Sequence, residues 1–424
     1  MVPGGCRVFR RSIDTFESFP RTFWVIALGV LVSSAGSSMI WPFQLIYIGR
    51  QLGLQTSTVG MMVTISSGIG LAVSFLGGSL ADHAGRKPVM LAAQAAHGLA
   101  YLLMAAASSY FGFLAALTLI YIAMPIYSIG SDSMMADMLP AERRTEGYSI
   151  LRMTSNAGIA IGPAIGGIIV STSYTAAFHG AAVLMALQCA MLLGFVRETL
   201  DKAGRDRGGA RRPEKRKEAL EGYARVLKDR FFVLFMLVVA IGLVGPMMMW
   251  ILLALYTKQV FGMSERLFSW IPITNALMCV FVQYFVTRLT LRFKPLTAIA
   301  AGMLVYAVGV GSVAWMGGFL GFIASMVILS LGELILTPTS TAFVASRAPV
   351  DLRGRYMSIY WVTWGIARAV APMVGGILND RISPRATWHG GLLIGAASAI
   401  GLAVMARWHA ARELPEAEKA RSTV

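Results

Sequence analysis

Four charged residues interrupt long apolar segments of this sequence: Asp132, Arg152, Glu333 and Arg368. Ionisable side chains within such segments are costly, and they usually face a transported ion, a substrate or an opposite charge. A carboxylate can bind and release a proton, so we predict Glu333 as the main proton-coupling group, with Asp132 and Arg368 as further candidates. The alternative is static pairing of Glu333 with Arg368 and of Asp132 with Arg152.

Polar and aromatic side chains in the same apolar segments are candidates for a substrate cavity. Aromatic rings bind flat, apolar or cationic guests by stacking and by cation–π contacts. Packing between helices is the alternative role for each of them. The candidates are Trp41, Gln44, Tyr127, Arg152, Asn156, Trp250, Gln283, Trp361 and Trp364.

These residues must be positioned by membrane-spanning helices. Of the 424 residues, 56% are hydrophobic and 14% are charged, whereas soluble domains carry about 25% charged residues. Apolar runs of about 20 residues recur, and each is long enough to cross a bilayer. We predict an all-α membrane protein with twelve spans at roughly 22–48, 57–80, 88–108, 113–137, 148–171, 176–197, 231–257, 266–288, 295–316, 319–345, 355–378 and 386–407.

The same composition excludes several classes of protein. A water-soluble enzyme could not cover so apolar a surface. The three cysteines form no CxxC pair, so we expect neither a disulfide framework nor a metal site. Motifs for serine hydrolysis, zinc hydrolysis or phosphate binding are absent from the sequence. We therefore expect no cofactor, and an ion gradient rather than ATP as the source of energy.

The net charge of +16 reports topology rather than nucleic-acid binding. Most of the 37 Lys and Arg residues fall in the terminal tails and in alternate loops, which predicts that both termini are cytoplasmic. These charges would face anionic lipid. We find no cleavable signal peptide at the N-terminus, and we expect a multi-pass protein of the cell membrane.

An internal repeat divides the chain into two halves. At an offset of 209 residues, Trp41 aligns with Trp250, Gly53 with Gly262 and Pro163 with Pro372. We predict a six-helix bundle over residues 1–197, a charged cytoplasmic linker over 198–230 and a second six-helix bundle over 231–424. Two parallel repeats place a substrate site between them, near the membrane midplane.

The loop after the second span resembles a signature of the major facilitator superfamily, GxxxD(R/K)xGR(K/R). It contains Gly78, Asp82, Gly85, Arg86 and Lys87, and it departs from the pattern at His83. The resemblance covers nearly the whole chain and implies the twelve-helix fold of that family. It also implies a latch in which these residues and Asp137 hold the two halves together in one state. Simple anchoring of the loop at the membrane surface is the alternative.

The fifth span resembles the GxxxGPxxGG element of antiporters in that superfamily. The matching residues are Gly158, Gly162, Pro163, Gly166 and Gly167. Small residues at this spacing also serve ordinary helix packing. The resemblance favours export over uptake.

These observations predict a secondary transporter that alternates between states open to either side. The expected function is proton-coupled efflux of lipophilic or cationic small molecules, by a monomer. A proton symporter or facilitator that takes up a metabolite is the alternative, and a non-transporting receptor or lipid-handling scaffold is a remote one.

Overall fold

The structure is a computed structural model that describes residues 19–199, 221–349 and 352–422, with side chains described except at 75–79, 81–82, 141–142, 145 and 410–422. Helices dominate the described residues. In chain order they are α1 Arg21–Ile40, α2 Gln44–Leu52, α3 Thr56–Ala84, α4 Arg86–Ala106, α5 Tyr110–Met138, α6 Ala141–Thr172, α7 Tyr174–Phe195, α8 Arg230–Phe261, α9 Glu265–Phe268, α10 Trp270–Phe281, α11 Gln283–Thr290, α12 Pro295–Ser312, α13 Gly318–Arg347, α14 Arg353–Arg381 and α15 Ala386–Ser422.

The predicted number of membrane crossings is confirmed. Within the described ranges, eleven segments are individually long and apolar enough to cross a membrane, and Glu265–Phe281 together with Gln283–Thr290 forms a twelfth that bends by 59°. We number these spans 1 to 12: α1 and α2 form span 1, α3 to α7 are spans 2 to 6, α8 is span 7, α9 to α11 form span 8, and α12 to α15 are spans 9 to 12. At the bend of span 8, the side-chain amide of Gln283 donates to the carbonyl oxygen of Leu334 at 3.1 Å.

The internal repeat appears in the backbone and in the packing of the two halves. Gly53 and Gly262 end spans 1 and 7 with left-handed φ values of 61° and 63°, a conformation that favours glycine at a helix end. Trp41 and Trp250 stack on one another with ring centroids 6.0 Å apart. Two residues related by the repeat therefore touch between the halves.

Glycines at repeat-related positions let helices pack closely within each half. Gly158, Gly162 and Gly166 lie against span 1, where an added Cβ at Gly158 would be 2.6 Å from the carbonyl oxygen of Leu31. In the second half, an added Cβ at Gly375 would meet Leu252 of span 7. The antiporter-like element of span 5 is therefore a packing face toward span 1.

The glycines that follow Gly166 and Gly375, which are Gly167 and Gly376, face the opposite half. An added Cβ at Gly167 would be 2.8 Å from the carbonyl oxygen of Glu265 in span 8, and one at Gly376 would be 2.6 Å from the Cα of Ser57 in span 2. Spans 5 and 8, and spans 11 and 2, thus form two seams between the halves.

The seams close one side of the molecule. We call this side, where spans 1 and 7 end at Gly53 and Gly262, the distal side, and the opposite side, which leads into the 198–230 segment, the linker side. Hydrogen bonds across the distal ends join Tyr174 to Glu265, Ser57 to Asp380 and Asn379 to Thr56. The halves are therefore sealed together at the distal side.

The close approach of spans 1 and 5 predicts a strong penalty for a small substitution. Gly162→Ala places a methyl group against the side chain of Ser38 and the backbone of Ala35, so the helices must separate, at a cost of about 1–3 kcal/mol. We expect a lower thermal unfolding temperature in detergent. Gly194→Ala is the control, because an added Cβ there meets nothing within 4 Å; equal effects of the two substitutions would contradict this packing.

On the linker side, an ion pair ties the start of span 7 to the end of span 10. The Asp229 carboxylate accepts hydrogen bonds from Arg347 at 2.8 and 3.0 Å and from the backbone N–H of Phe232 at 3.1 Å. Tyr356 adds a hydrogen bond at 3.1 Å. Burial acts to raise the pKa of Asp229, but the hydrogen bonds and the charge of Arg347 outweigh it and lower the pKa below its ordinary value.

The lowered pKa predicts how stability depends on pH. The contribution of Asp229 is complete above the unfolded-state pKa, about 3.9, and is lost as the pH falls through the lower folded-state value. Asp229→Asn should destabilise the protein by about 1–2 kcal/mol at pH 7, because the neutral amide loses the charged hydrogen bonds to Arg347, and this difference should shrink in acid. Thermal unfolding across pH measures it, with the exposed Glu221→Gln as control; a difference that grows in acid would contradict the assignment.

Candidate substrate and proton site

The central carboxylate belongs to a polar cluster formed by spans 8 and 10. The side-chain amide of Asn275 donates to Glu333 at 3.0 Å and to Ser330 at 2.9 Å. Ser330 in turn donates to the carbonyl oxygen of Met326 at 2.7 Å, and the Cys279 thiol approaches the Asn275 oxygen at 3.8 Å. Asn275 and Ser330 are 7% and 0% exposed, so the cluster is fixed within the second half.

The charge that faces Glu333 comes from the opposite half. Arg152 of span 5 lies within electrostatic range of Glu333 and of Cys279. Arg152 is exposed, and the two side chains form no direct ion pair in the described part of the chain. The Glu333 carboxylate and the Arg152 guanidinium group therefore influence each other from opposite halves without direct contact.

The two salt bridges considered from the sequence do not form. Arg368 lies within electrostatic range of Tyr121 in span 4 and is not paired with Glu333. Asp132 lies near Tyr127 and Tyr148, and its backbone carbonyl accepts a hydrogen bond from Tyr148 at 3.0 Å. Arg152 follows Tyr148 by four residues on span 5, and both Arg152 and Asp132 are exposed.

An apolar recess adjoins the Glu333 cluster on its distal side. Its enclosed volume is about 20 Å³, room for about one water molecule, and its lining includes Trp41, Trp250, Phe268, Met249 and Met326. Met326 precedes Glu333 by seven residues on span 10, which corresponds to about 10 Å along the helix. The recess and the carboxylate can therefore contact different parts of one bound molecule.

The remaining cavity candidates occupy several environments. Gln44 is buried at 4% exposure, and Tyr127 accepts a hydrogen bond from Gln188 within the first half. Gln283 bonds to Thr287 and to the span 10 backbone. Trp361 is half-exposed and contacts the ring of Trp364. Asn156 is partly buried on span 5, one turn from Arg152.

Sequence analysis missed the residues that hold Glu333 in place. Asn275 and Ser330 had a detectable signal, because each is a polar residue inside an apolar span. Their contact could not be predicted, since it depends on the rotation of span 8 relative to span 10.

The predicted latch contains a direct ion pair within the first half. The Nε of Arg86 lies 3.0 Å from the carboxylate of Asp137, and Gly85 begins span 3 with a φ of 106°. The backbone N–H groups of Arg86 and Lys87 both donate to Glu198 at 3.1 Å. Lys87 also donates to the carbonyl oxygen of Leu193.

Two latch candidates lie outside the residues whose side chains the structure describes. Gly78 and Asp82 fall in the second half of α3. The described part of the latch joins spans 3, 4 and 6 on the linker side.

The Arg86–Asp137 pair predicts energetic coupling between these two positions. Arg86→Ala and Asp137→Asn should each lower the unfolding temperature. The double variant should lose less stability than the sum of the two single losses, because each single variant already removes the same interaction. The expected coupling is about 0.5–1 kcal/mol for a half-exposed pair. Arg86→Ala with Asp229→Asn is the control pair, because these sites lie in different halves; additivity at Arg86 and Asp137 would show that the contact does not stabilise the fold.

The twelve spans form two halves that are related by the repeat, and polar residues lie between the halves. This is the architecture of a secondary transporter. The sequence model of the Major Facilitator Superfamily matches residues 26–372. The chain belongs to the Major Facilitator Superfamily and is a multi-pass membrane transporter rather than an enzyme.

Curated relatives are similar over most of their length. The Na(+), Li(+), K(+)/H(+) antiporter of Planococcus maritimus is 24% identical over 386 residues, which cover 84% of this chain and 89% of that protein. The multidrug resistance protein MdtH of Salmonella typhimurium is 21% identical over 346 residues, which cover 81% of this chain and 83% of that protein. Some relatives are thus antiporters or multidrug transporters, at low identity.

Solved structures share the fold. The peptide transporter POT in complex with sulfate has a TM-score of 0.73 at 16% identity, with 92% of this chain and 94% of that chain covered. The nucleoside transporter NupG has a TM-score of 0.74 at 11% identity, with 91% of this chain and 100% of that chain covered. At such identities the likeness concerns the fold alone.

Proposed function

We propose that this transporter exports lipophilic or cationic small molecules in exchange for protons. The observation that carries the proposal is the position of Glu333. Its carboxylate is held by Asn275 inside the membrane and faces Arg152 of the opposite half. A carboxylate in this position can exchange a proton for a cationic substrate, because each neutralises the same negative charge.

The lining of the recess beside Glu333 supports a lipophilic substrate, for which the recess must widen. Its lining is almost entirely apolar, and the stacked pair Trp41–Trp250 offers aromatic surface. Met249 and Met326 add side chains that adapt to different shapes. An amphipathic molecule can thus place its apolar part in the recess and its charge near Glu333.

The closed distal side supports a proposal for the transport cycle. With cytoplasmic termini, as the loop charges predict, the present structure faces inward. The halves would rock about the central site, and the Arg86–Asp137 region would act on the cytoplasmic side of that motion. We also propose the domain boundaries given above, with bundles at 1–197 and 231–424, and a monomer in the cell membrane.

A second candidate function is exchange of protons for inorganic monovalent cations. The similarity to the Planococcus maritimus antiporter favours it. Ser330 and Glu333 place a hydroxyl and a carboxylate oxygen around the amide nitrogen of Asn275, and such hard cations prefer oxygen ligands.

Proton movement in liposomes that contain the purified protein tests both candidates. A trapped pH-sensitive dye reports the dissipation of an imposed pH gradient when ethidium, NaCl or KCl is added. We expect ethidium to drive proton movement through the wild type. Glu333→Gln should reduce it to the level of empty liposomes, because the amide cannot carry a proton.

The control is Glu221→Gln, which changes an exposed carboxylate outside the spans. A response to Na⁺ or K⁺ alone would favour the second candidate. If Glu333→Gln moves protons as well as the wild type does, the role of Glu333 is contradicted for both candidate functions.

A further inference from the structure

The seam between spans 2 and 11 contains a carboxylate that the proposed function does not use. Asp380 lies in the last turn of span 11, on the distal side, and accepts a hydrogen bond from the backbone N–H of Ser57 at 2.6 Å. The backbone N–H of Thr56 and the hydroxyl of Ser57 also point to this carboxylate. Asn379 donates both to Asp380 at 2.8 Å and to the hydroxyl of Thr56 at 3.2 Å.

These contacts make Asp380 the cap of a helix in the other half. Span 2 begins at Thr56, and the first N–H groups of a helix have no partner within it. A carboxylate at this position satisfies them and complements the helix dipole. A cap normally comes from the residue that precedes its helix, whereas here it comes from a residue more than 300 positions away.

Small residues bring the carboxylate within reach of span 2. Pro372, Gly376 and Asp380 follow one another at intervals of four residues, so they share one face of span 11. An added Cβ at Gly376 would be 2.6 Å from the Cα of Ser57, and Gly60 of span 2 lies directly against the carbonyl of Pro372. Separation of the two spans would therefore remove the cap from the helix.

The other seam uses a carboxylate that keeps a partner when the halves separate. Glu265 of span 8 accepts a hydrogen bond from Tyr174 of the opposite half at 2.8 Å. It also pairs with Lys258 of its own half at 3.0 Å. Opening this seam costs one hydrogen bond and leaves the Glu265 charge paired.

We propose that Asp380 is a conformational positioning residue of the transport cycle. Its carboxylate holds the start of span 2 when the distal side is closed and must release it when that side opens. The cap therefore sets the balance between the two states, and it acts independently of which substrate is carried.

Spin-label distance measurements on the full chain in lipid nanodiscs test this proposal without any substrate. Labels at Gln51 and Val260, which are exposed at the distal ends of spans 1 and 7, report the separation of the halves once the native cysteines are replaced by serine. Asp380→Asn should raise the ratio of distal-open to distal-closed molecules about five- to tenfold, because the charge-assisted hydrogen bond and the helix-dipole interaction are lost. The amide that replaces the carboxylate is a weaker acceptor and carries no charge.

The matched control is Asp229→Asn, which removes a carboxylate cap that acts within one half. It should lower the unfolding temperature without changing the distance distribution. Asp380→Ala, which removes the acceptor as well as the charge, should give a larger shift, and it replaces Asp380→Asn if that variant does not fold. Distance distributions of the folded Asp380 variant that match the wild type, or an equal shift in Asp229→Asn, would overturn the proposal.

Discussion

The cost of an unpaired polar group in an apolar medium governs the arrangement of this transporter. Backbone groups satisfy each other within the spans, so the remaining polar side chains must find partners across helices. Asn275 holds Glu333, Arg86 pairs with Asp137, and Asp380 caps span 2. Arg152 of span 5 remains exposed and influences Glu333 of the opposite half, so a substrate bound between the halves can meet both charges.

The same cost explains why the molecule has two seams and one central site. Gly167 and Gly376, related by the internal repeat, each allow a helix of the opposite half to approach closely on the distal side. Trp41 and Trp250, also related by the repeat, meet between the halves beside the central recess. Duplication thus produced two similar contact faces, while the charged residues at the centre differ between the halves. A symmetric scaffold positions an asymmetric site.

Much of the fold was predictable from the sequence, because hydropathy, loop charge and the repeat act locally or along the chain. The twelve spans and the family were predicted correctly for this reason, and the bend at Gln283 was not. Pairing across helices depends on how each helix is rotated about its axis, which one sequence does not determine. The alternative pairs Glu333–Arg368 and Asp132–Arg152 are for this reason not formed in the described part of the chain, and Asn275 was not predicted. Asp380 caps a helix of the other half that lies far from it in the chain, and no local pattern predicts this contact.

If the two halves rock about the site at Glu333, one side must close as the other opens. Paired spin-label distances on the distal and linker sides of the wild-type protein, with and without ethidium, test it most directly. We expect ethidium to shift the two distributions in opposite directions, with a longer distance on the distal side and a shorter one on the linker side. Distances that stay unchanged, or that lengthen together on both sides, would contradict it.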